Sequence, residues 1–160
     1  MIREFGQPGD LGWVVQAHGE IYAREYGYDL SFELMVARIV TDWAGDHDPA
    51  RAAAWIAELD GRRVGSIFCV GDTDRDTAVL RVLLVEPIAR GTGLGGRLVD
   101  TCIEFARKAG YRRMTLWTTD SLVAARKLYL GRGFTLAAEE PLRRFGVDVI
   151  GQTYELSLVD

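Results

Sequence analysis

The sequence is poor in cysteine, with only Cys69 and Cys102 among 160 residues. Two thiols do not provide the disulfide framework of small secreted domains, so we expect both to be reduced and buried. No apolar run approaches the ~18 residues that cross a bilayer. The first residues also lack the basic-then-apolar pattern of a signal peptide. These absences predict a cytoplasmic protein without a membrane segment.

An excess of positive charge is also missing. The 19 Lys and Arg residues are outnumbered by 23 Asp and Glu residues, which gives a formal net charge of −4. Domains that bind nucleic acid are usually basic and carry their charge in clusters. The charge balance therefore argues against a nucleic-acid partner and slightly favours a cationic or neutral substrate over an anionic one. We assign no metal site.

The chain contains no repeat, linker or low-complexity tract. Its length and its hydrophobic content of 48% are typical of one globular domain, which at this size buries about 70% of its unfolded surface. We therefore expect a single domain spanning residues 1–160.

Hydrophobic periodicity predicts helices first and then strands. A helix is expected from an Asp10 cap to about Tyr26, and a second one after a Ser31 cap. The pair Asp60-Gly61 indicates a hairpin turn, and the apolar run Thr77–Val85 indicates a strand buried on both faces. The remaining elements are a helix, a strand, a short helix and two strands, the first of these being Phe134–Ala138. This order predicts an α/β fold with a mixed sheet of about seven strands and about four helices.

A glycine-rich segment joins the buried strand to the next helix, and it reads Arg90-Gly91-Thr92-Gly93-Leu94-Gly95-Gly96. Glycine lets a backbone approach a ligand closely, and the amides at a helix start have no intrahelical partner. These amides and the helix dipole favour an anion. Arg90 adds a guanidinium suited to phosphate oxygens. The segment therefore predicts a seat for a diphosphate.

Two classes of ligand fit such a seat. Gly91-x-Gly93-x-x-Gly96 matches the dinucleotide fingerprint. That fingerprint follows its strand closely within alternating strands and helices, whereas here Glu86–Arg90 intervenes and the first half of the chain lacks that alternation. A dinucleotide-binding protein is therefore the weaker alternative.

The same loop resembles the coenzyme A signature of the GNAT superfamily of N-acetyltransferases. That signature has arginine or glutamine, two residues, glycine, one residue, and then glycine or alanine. The segment Ala125–Phe134 resembles the second signature of the superfamily, which runs from alanine through tyrosine to glycine-phenylalanine. More narrowly, Met114–Thr118, Leu122–Arg126 and Gly151–Leu156 are similar to acetyltransferase domains fused behind MarR-type winged-helix regulators, here without the winged helix.

This resemblance covers roughly the whole chain and implies a GNAT-like acyl-CoA N-acyltransferase fold. It implies that acetyl-CoA is the acyl donor and that its phosphates bind to Arg90, Gly91, Thr92, Gly93, Leu94, Gly95 and Gly96. It also implies that main-chain amides of the preceding strand face the thioester, namely those of Leu83, Leu84 and Val85. Tyr129 falls at the position of the acid that protonates the departing sulfur, since a phenol keeps its proton at neutral pH.

The base that deprotonates the amine is less clearly indicated. Glu86 leaves the cofactor strand near the expected site and is the candidate, while Glu33 and His18 are alternatives. Many superfamily members rely on water chains, so a dedicated base is not required. Leu122 stands where the superfamily often has an asparagine that contacts the pantetheine arm.

These observations predict an N-acetyltransferase that acts on a primary amine in a direct ternary complex. A non-catalytic module that senses acetyl-CoA is the alternative. The acceptor is a small-molecule or peptide amine, and we expect its pocket to be built from residues 9–48 and 140–148. Arg143 and Arg144 are expected to be solvated charges at a strand end. Dimerisation is common in the superfamily, so a homodimer is also considered.

Overall fold

The computed structural model describes all 160 residues. Its strands are β1 (Ile2–Glu4), β2 (Ala53–Leu59), β3 (Arg62–Gly71), β4 (Thr77–Val85), β5 (Arg113–Thr119), β6 (Thr135–Arg144) and β7 (Val147–Ser157). Its helices are α1 (Asp10–Tyr26), α2 (Leu30–Gly45), α3 (Leu94–Lys108) and α4 (Val123–Gly131), with a 3₁₀ turn at Pro87–Ala89. The predicted order of elements is confirmed. None of the helices combines the length and apolarity needed to span a bilayer.

The seven strands form one sheet in the order β1-β2-β3-β4-β5-β7-β6, and only the β4–β5 pair is parallel. This mixed sheet confirms the predicted fold class. The β4–β5 pairing is short, because it joins only Thr77–Val79 to Arg113–Thr115. Beyond those residues the two strands have no ladder between them, and a gap opens in the middle of the sheet.

Each face of the sheet carries its own apolar core. The core under α3 and α4 includes the fully buried Leu98, Cys102 and Met114. The core under α1 and α2 includes Val14 and Val36. Successive side chains of a strand point to opposite faces, so β4 must be apolar on both sides, which explains its sequence. Both cysteines are free and buried, as expected.

Three boundaries differ from the sequence-based expectation. The Asp29 carboxylate, not Ser31, caps α2, and it accepts a hydrogen bond from the Ser31 amide at 2.9 Å. Strand β6 continues to Arg144 rather than ending near Ala138. It passes through Pro141, which an edge strand tolerates because one row of its amides has no strand partner. The longer β6 brings the β6–β7 turn over the α1 and α2 side, where Phe145 joins that core.

The start of α1 also differs, because Gly9 is the N-cap and Asp10 is the first helical residue. Asp10 is fully buried, and its carboxylate lies 2.8 Å from a guanidinium nitrogen of Arg3 and 2.8 Å from one of Arg63. It also accepts two backbone amide hydrogen bonds. Burial would raise the pKa of Asp10, but these donors outweigh it and hold the pKa well below its usual range. Asp10 therefore joins β1, α1 and β3.

We predict that Asp10→Asn lowers the free energy of unfolding by about 3 kcal/mol, because it removes a fully buried carboxylate that pairs with the partly buried guanidinium groups of Arg3 and Arg63. Urea denaturation measures this change. In the parent protein the contribution is complete above pH ~4 and is lost as the pH falls towards the depressed pKa of Asp10. Asp148→Asn is the matched control, since Asp148 pairs with Arg143 while 87% exposed. Equal losses in the two variants would contradict this account.

Candidate functional site

The glycine-rich loop owes its shape to two left-handed residues. Gly91 has φ 79° and Gly93, the N-cap of α3, has φ 82°. A Cβ atom added at either position would meet nothing within 4 Å. These glycines are therefore required by backbone conformation, which side chains disfavour at positive φ, and the space above them is open.

The backbone amides of this loop are free. None of the six N–H groups from Gly91 to Gly96 donates a hydrogen bond within the protein, and the first bond of α3 runs from Arg97 to the Gly93 carbonyl at 3.1 Å. These groups lie at the positive end of a 15-residue helix, where the dipole favours negative charge. The predicted amides are thus available to an anion and are not used by the fold.

Gly95 and Gly96 have a further role in packing. A Cβ atom on Gly95 would lie 2.8 Å from Cδ1 of Leu128, and one on Gly96 would collide with the guanidinium of Arg132. Leu128 and Arg132 belong to α4 and its C-cap, and Arg132 also pairs with Asp100 of α3 at 2.9 Å. The two glycines therefore let α4 approach α3 closely, which fixes the position of Tyr129.

Arg90 does not stand alone beside the loop. Its Nη2 atom lies 2.9 Å from Oε1 of Glu25 on α1, with the Arg90 side chain 43% exposed. Sequence reasoning did not identify Glu25, because nothing in the helical pattern of α1 marks one exposed acid among several. An anion at the loop would compete with Glu25 for this guanidinium.

A cavity of about 260 Å³ occupies the gap between β4 and β5. Its walls come from both strands, from α1, α2 and α4, and from the β6–β7 turn, so residues 9–48 and 140–148 both contribute to it. Aromatic rings form much of the lining, namely Tyr22, Tyr28, Phe32, Trp117, Tyr129 and Phe145. Of the four tryptophans, only Trp117 lines the cavity.

Tyr129 reaches this cavity from α4. Its side chain is 5% exposed and lines the cavity, and its hydroxyl makes no hydrogen bond with the protein. Burial, with a smaller contribution from Cys102, raises the pKa of Tyr129 well above its usual value. The phenol is therefore protonated throughout the physiological range.

The two glutamates considered as bases lie outside the cavity lining. Glu86 pairs with Arg62 at 3.4 Å on the β3 side, and neither it nor Glu33 contributes to the walls. Glu33 fills the space beside Gly19, where a Cβ atom would collide with its carboxylate. The structure therefore does not bring either carboxylate to the cavity.

The main-chain amides of β4 divide into two rows. Glu86 donates its N–H to the Val64 carbonyl of β3 at 2.7 Å. Since N–H groups alternate along a regular strand, the amide of Leu84 also faces β3 and that of Val85 faces the gap. At Val82 and Leu83 a bulge interrupts the pairing with β3, and Val82 has φ 47°. The Leu83 carbonyl accepts a hydrogen bond from the Tyr22 hydroxyl at 3.3 Å.

His18, which lines the cavity, has a lone pair without a hydrogen-bond partner. Its Nδ1 lies 2.7 Å from the Val14 carbonyl, which only accepts, so Nδ1 carries the proton and Nε2 has a free lone pair. Burial lowers the pKa of His18 to about 4, although the bond to Val14 opposes this shift. Nε2 and the hydroxyl of Thr118 are buried without a hydrogen-bond partner, and both residues line the cavity. Because buried polar atoms are nearly always bonded, the pair indicates a polar ligand or water there.

Sequence reasoning missed two arginines. Arg81 lies within the apolar run of β4, and Arg144 was expected to be solvated, yet both line the cavity. The guanidinium of Arg144 lies over the Trp117 ring at 4.6 Å and the Phe145 ring at 5.0 Å. The longer course of β6 explains the difference, since it carries Arg144 to the turn above the cavity.

Comparisons with known proteins agree with this geometry. Residues 15–134 match the model of the "Acetyltransferase (GNAT) family". The chain is similar to an N-acetylaspartate synthetase of Danio rerio, with 35% identity over 91 residues that cover 57% of this chain and 32% of that protein. It is also similar to an uncharacterized N-acetyltransferase of Methanocaldococcus jannaschii, with 28% identity over 72% of this chain and 54% of that protein. The match thus spans about a third to a half of these relatives.

A solved structure of a putative acetyltransferase from Salmonella typhimurium, yncA with its cofactor acetyl-CoA, shares the fold. It superposes with a TM-score of 0.76 over 100% of this chain and 94% of that one, at 20% sequence identity. The predicted mixed-sheet architecture is therefore a known one.

We predict that stability falls as the pH drops from ~6.5 to 4, by up to about 3 kcal/mol from His18 alone. The sign follows from its depressed pKa, since the unfolded chain binds the proton first. The free energy of unfolding at closely spaced pH values measures the slope. His18→Gln should flatten the slope, whereas His47→Gln should retain it. A slope that is unchanged in His18→Gln would refute the assignment.

Proposed function

Because the chain belongs to the acetyltransferase (GNAT) family, we propose that it transfers the acetyl group of acetyl-CoA to a primary amine in a direct ternary complex. One observation carries the proposal: six successive free amides at the start of α3 follow the strand β4, whose residues Val79–Leu83 line the cavity between β4 and β5. A diphosphate fits the amides, and a thioester arm fits the gap between β4 and β5.

The phosphates of the donor are assigned to the amides from Gly91 to Gly96. Each such contact at a helix start contributes roughly 0.3–1 kcal/mol, and up to ~2 kcal/mol where it is partly buried. Arg90 joins them by exchanging Glu25 for a phosphate oxygen, because a guanidinium binds phosphate in the same two-pronged way as a carboxylate. The open space above Gly91 and Gly93 supports this assignment.

The donor supplies an acetyl group bonded to a good leaving group, and the chain supplies donors around it. We assign the amide of Val85, which faces the gap, and that of Leu83, in the bulge beside it, to stabilising negative charge that develops on the carbonyl oxygen. Leu84 does not share this role, because its amide faces β3. The Tyr129 hydroxyl is free, protonated and in the cavity wall, so we assign it as the acid that protonates the departing sulfur.

No side-chain base is assigned to the amine. Glu86 was the candidate from the sequence, but its pairing with Arg62 outside the cavity does not support that role. His18, with a pKa of about 4, is uncharged at neutral pH and is too weak a base to retain a proton taken from the amine. Proton removal is therefore assigned to water in the cavity.

Two alternatives came from the sequence. The dinucleotide alternative conflicts with the fold, since the sheet has one parallel pair and a 3₁₀ turn separates β4 from the loop. The sensor alternative predicts acetyl-CoA binding without turnover, and thiol release with a panel of amines separates it from an enzyme. The likeness to acetyltransferase domains of MarR-type regulators, the cytoplasmic location and the homodimer stay predictions that no comparison tests.

We predict that Tyr129→Phe lowers kcat by about 10²–10⁴-fold, because it removes the proton donor, and leaves the Kd of acetyl-CoA nearly unchanged. Steady-state thiol release and calorimetric titration measure the two quantities. Tyr154→Phe is the matched control, since Tyr154 is buried in the same core and does not line the cavity. Unchanged turnover in Tyr129→Phe would remove the acid assignment.

We predict that Arg90→Ala combined with Gly93→Val abolishes stabilisation by coenzyme A, which in the parent amounts to about 2.7 kcal/mol at 100 times Kd. The change removes a cation and strains a residue at φ 82°. Thermal unfolding with and without coenzyme A measures it, and the ligand-free transition shows whether the variant folds. Arg90→Ala alone should weaken binding about tenfold, while Arg107→Ala on α3 should not. A full shift in the double variant would contradict the loop assignment.

A further inference from the structure

The charge of the cavity is opposite to that of the protein. Among the 20 residues that line it, the only ionised side chains at neutral pH are Arg81 and Arg144, and none is Asp or Glu. The chain as a whole carries a net charge of −4. Neither arginine belongs to an ion pair, although seven other arginines do. The cavity therefore holds two cations, neither of which is in an ion pair within the protein.

Arg144 is held in place without being neutralised. Its guanidinium lies over the rings of Trp117 and Phe145. Its one polar contact within the protein is a weak hydrogen bond from Nη2 to the Met35 sulfur at 3.7 Å. A guanidinium has five N–H donors and no acceptor, and a thioether is a weak acceptor. Most of its donors are thus available to a ligand.

The stacking of Arg144 on two rings also argues against a positively charged acceptor. Aromatic rings attract an ammonium group over their faces, and a ring-lined cavity without acids would otherwise suit a polyamine. Here Arg144 already lies over two of the rings. A further positive charge on the acceptor would meet Arg81 and Arg144 and no carboxylate.

Arg81 lies in the part of β4 that is no longer paired with β5. It makes no hydrogen bond or ion pair within the protein, and it lies between the cavity and a neighbouring groove of about 590 Å³. That groove is lined by four aspartates, and none of them is ion-paired with Arg81. Its charge is therefore free to act on a ligand in the cavity.

Two further polar groups are candidates to contact the amine of the acceptor. Nε2 of His18 and the hydroxyl of Thr118 are buried polar atoms without a hydrogen-bond partner, and both residues line the same cavity as the arginines. A neutral amine donates to a lone pair such as that of Nε2, and a carboxylate pairs with the guanidinium groups. The remaining lining is mainly apolar, with 15 hydrophobic residues of 20.

We propose that the acceptor is an α-amino acid with an apolar side chain, bound through its carboxylate by Arg81 and Arg144. The proposal rests on the acetyltransferase function and names its substrate class. It reverses the expectation from net charge, because the local charge of the cavity and not the sum over the chain acts on the substrate. It also separates a free amino acid from polyamines and from peptide N-termini, whose α-carboxyl group is an amide.

The test compares acceptors that differ only in the carboxylate. L-Phenylalanine, L-leucine and L-methionine are each assayed with acetyl-CoA beside the corresponding amide and the corresponding decarboxylated amine. Thiol release gives kcat/KM per unprotonated amine, and mass spectrometry identifies the acetylated product. We expect kcat/KM to be at least tenfold higher for at least one amino acid than for its amide and amine.

Arginine variants then test whether Arg81 and Arg144 cause the preference for a carboxylate. Arg81→Gln and Arg144→Gln should each raise KM for the preferred amino acid about tenfold and change kcat/KM for its amide less than twofold. Arg107→Gln, which removes an exposed charge from α3, is the control and should change neither. Stabilisation of the protein by the N-acetylated amino acid, and not by its amide, provides a second readout that requires no turnover.

The outcomes separate the two proposals. Acetylation of amides and amines as fast as amino acids, or variants that leave the preference intact, overturns the carboxylate site and leaves the acetyltransferase function standing. Coenzyme A binding without acetylation of any of the nine amines overturns the amino-acid proposal, and the absence of thiol release with the wider amine panel as well overturns the acetyltransferase function.

Discussion

The site depends on the short pairing between β4 and β5, which leaves a gap in the sheet. Parallel strands usually continue their ladder until a turn ends them, but here hydrogen bonding stops after Val79 and Thr115. Of the six residues of β4 that follow, Leu80, Arg81, Leu84 and Val85 stay paired with β3, and a bulge at Val82 and Leu83 interrupts that pairing. A gap of this kind is costly in a core, because unpaired backbone groups need partners. It persists because apolar layers on both faces hold the two strands from outside.

The elements around the gap are joined to one another and not only to the sheet. Asp10 links α1 to β1 and β3, Glu25 links α1 to the loop through Arg90, and Tyr28 links the start of α2 to Thr119 of β5 through a bond of 2.7 Å. These contacts restrain the α1 and α2 layer above the opening. The cavity therefore has walls that are fixed by polar contacts at its edges and by aromatic packing at its centre.

The fold and the loop were predictable because their signals are local. Alternation, helical spacing and the pair Asp60-Gly61 determine elements, and free amides follow from any helix that begins at a glycine. Arg81 and Arg144 were not predictable, because their positions depend on where β4 leaves β5 and on how far β6 extends. The pairing of Glu86 with Arg62 was likewise hidden, since it depends on the register of β3 against β4. Contacts between distant segments carry no signature in one sequence.

The two uses of glycine in the loop have a consequence for evolution. Gly91 and Gly93 shape the turn beneath the proposed phosphate seat, whereas Gly95 and Gly96 leave room for the ends of the Leu128 and Arg132 side chains. A descendant that had lost its chemistry would still be favoured to keep the second pair, because it lets α4 pack closely. Half of the motif would then survive in an inactive protein, so a database search with the motif alone reports descent more reliably than it reports activity.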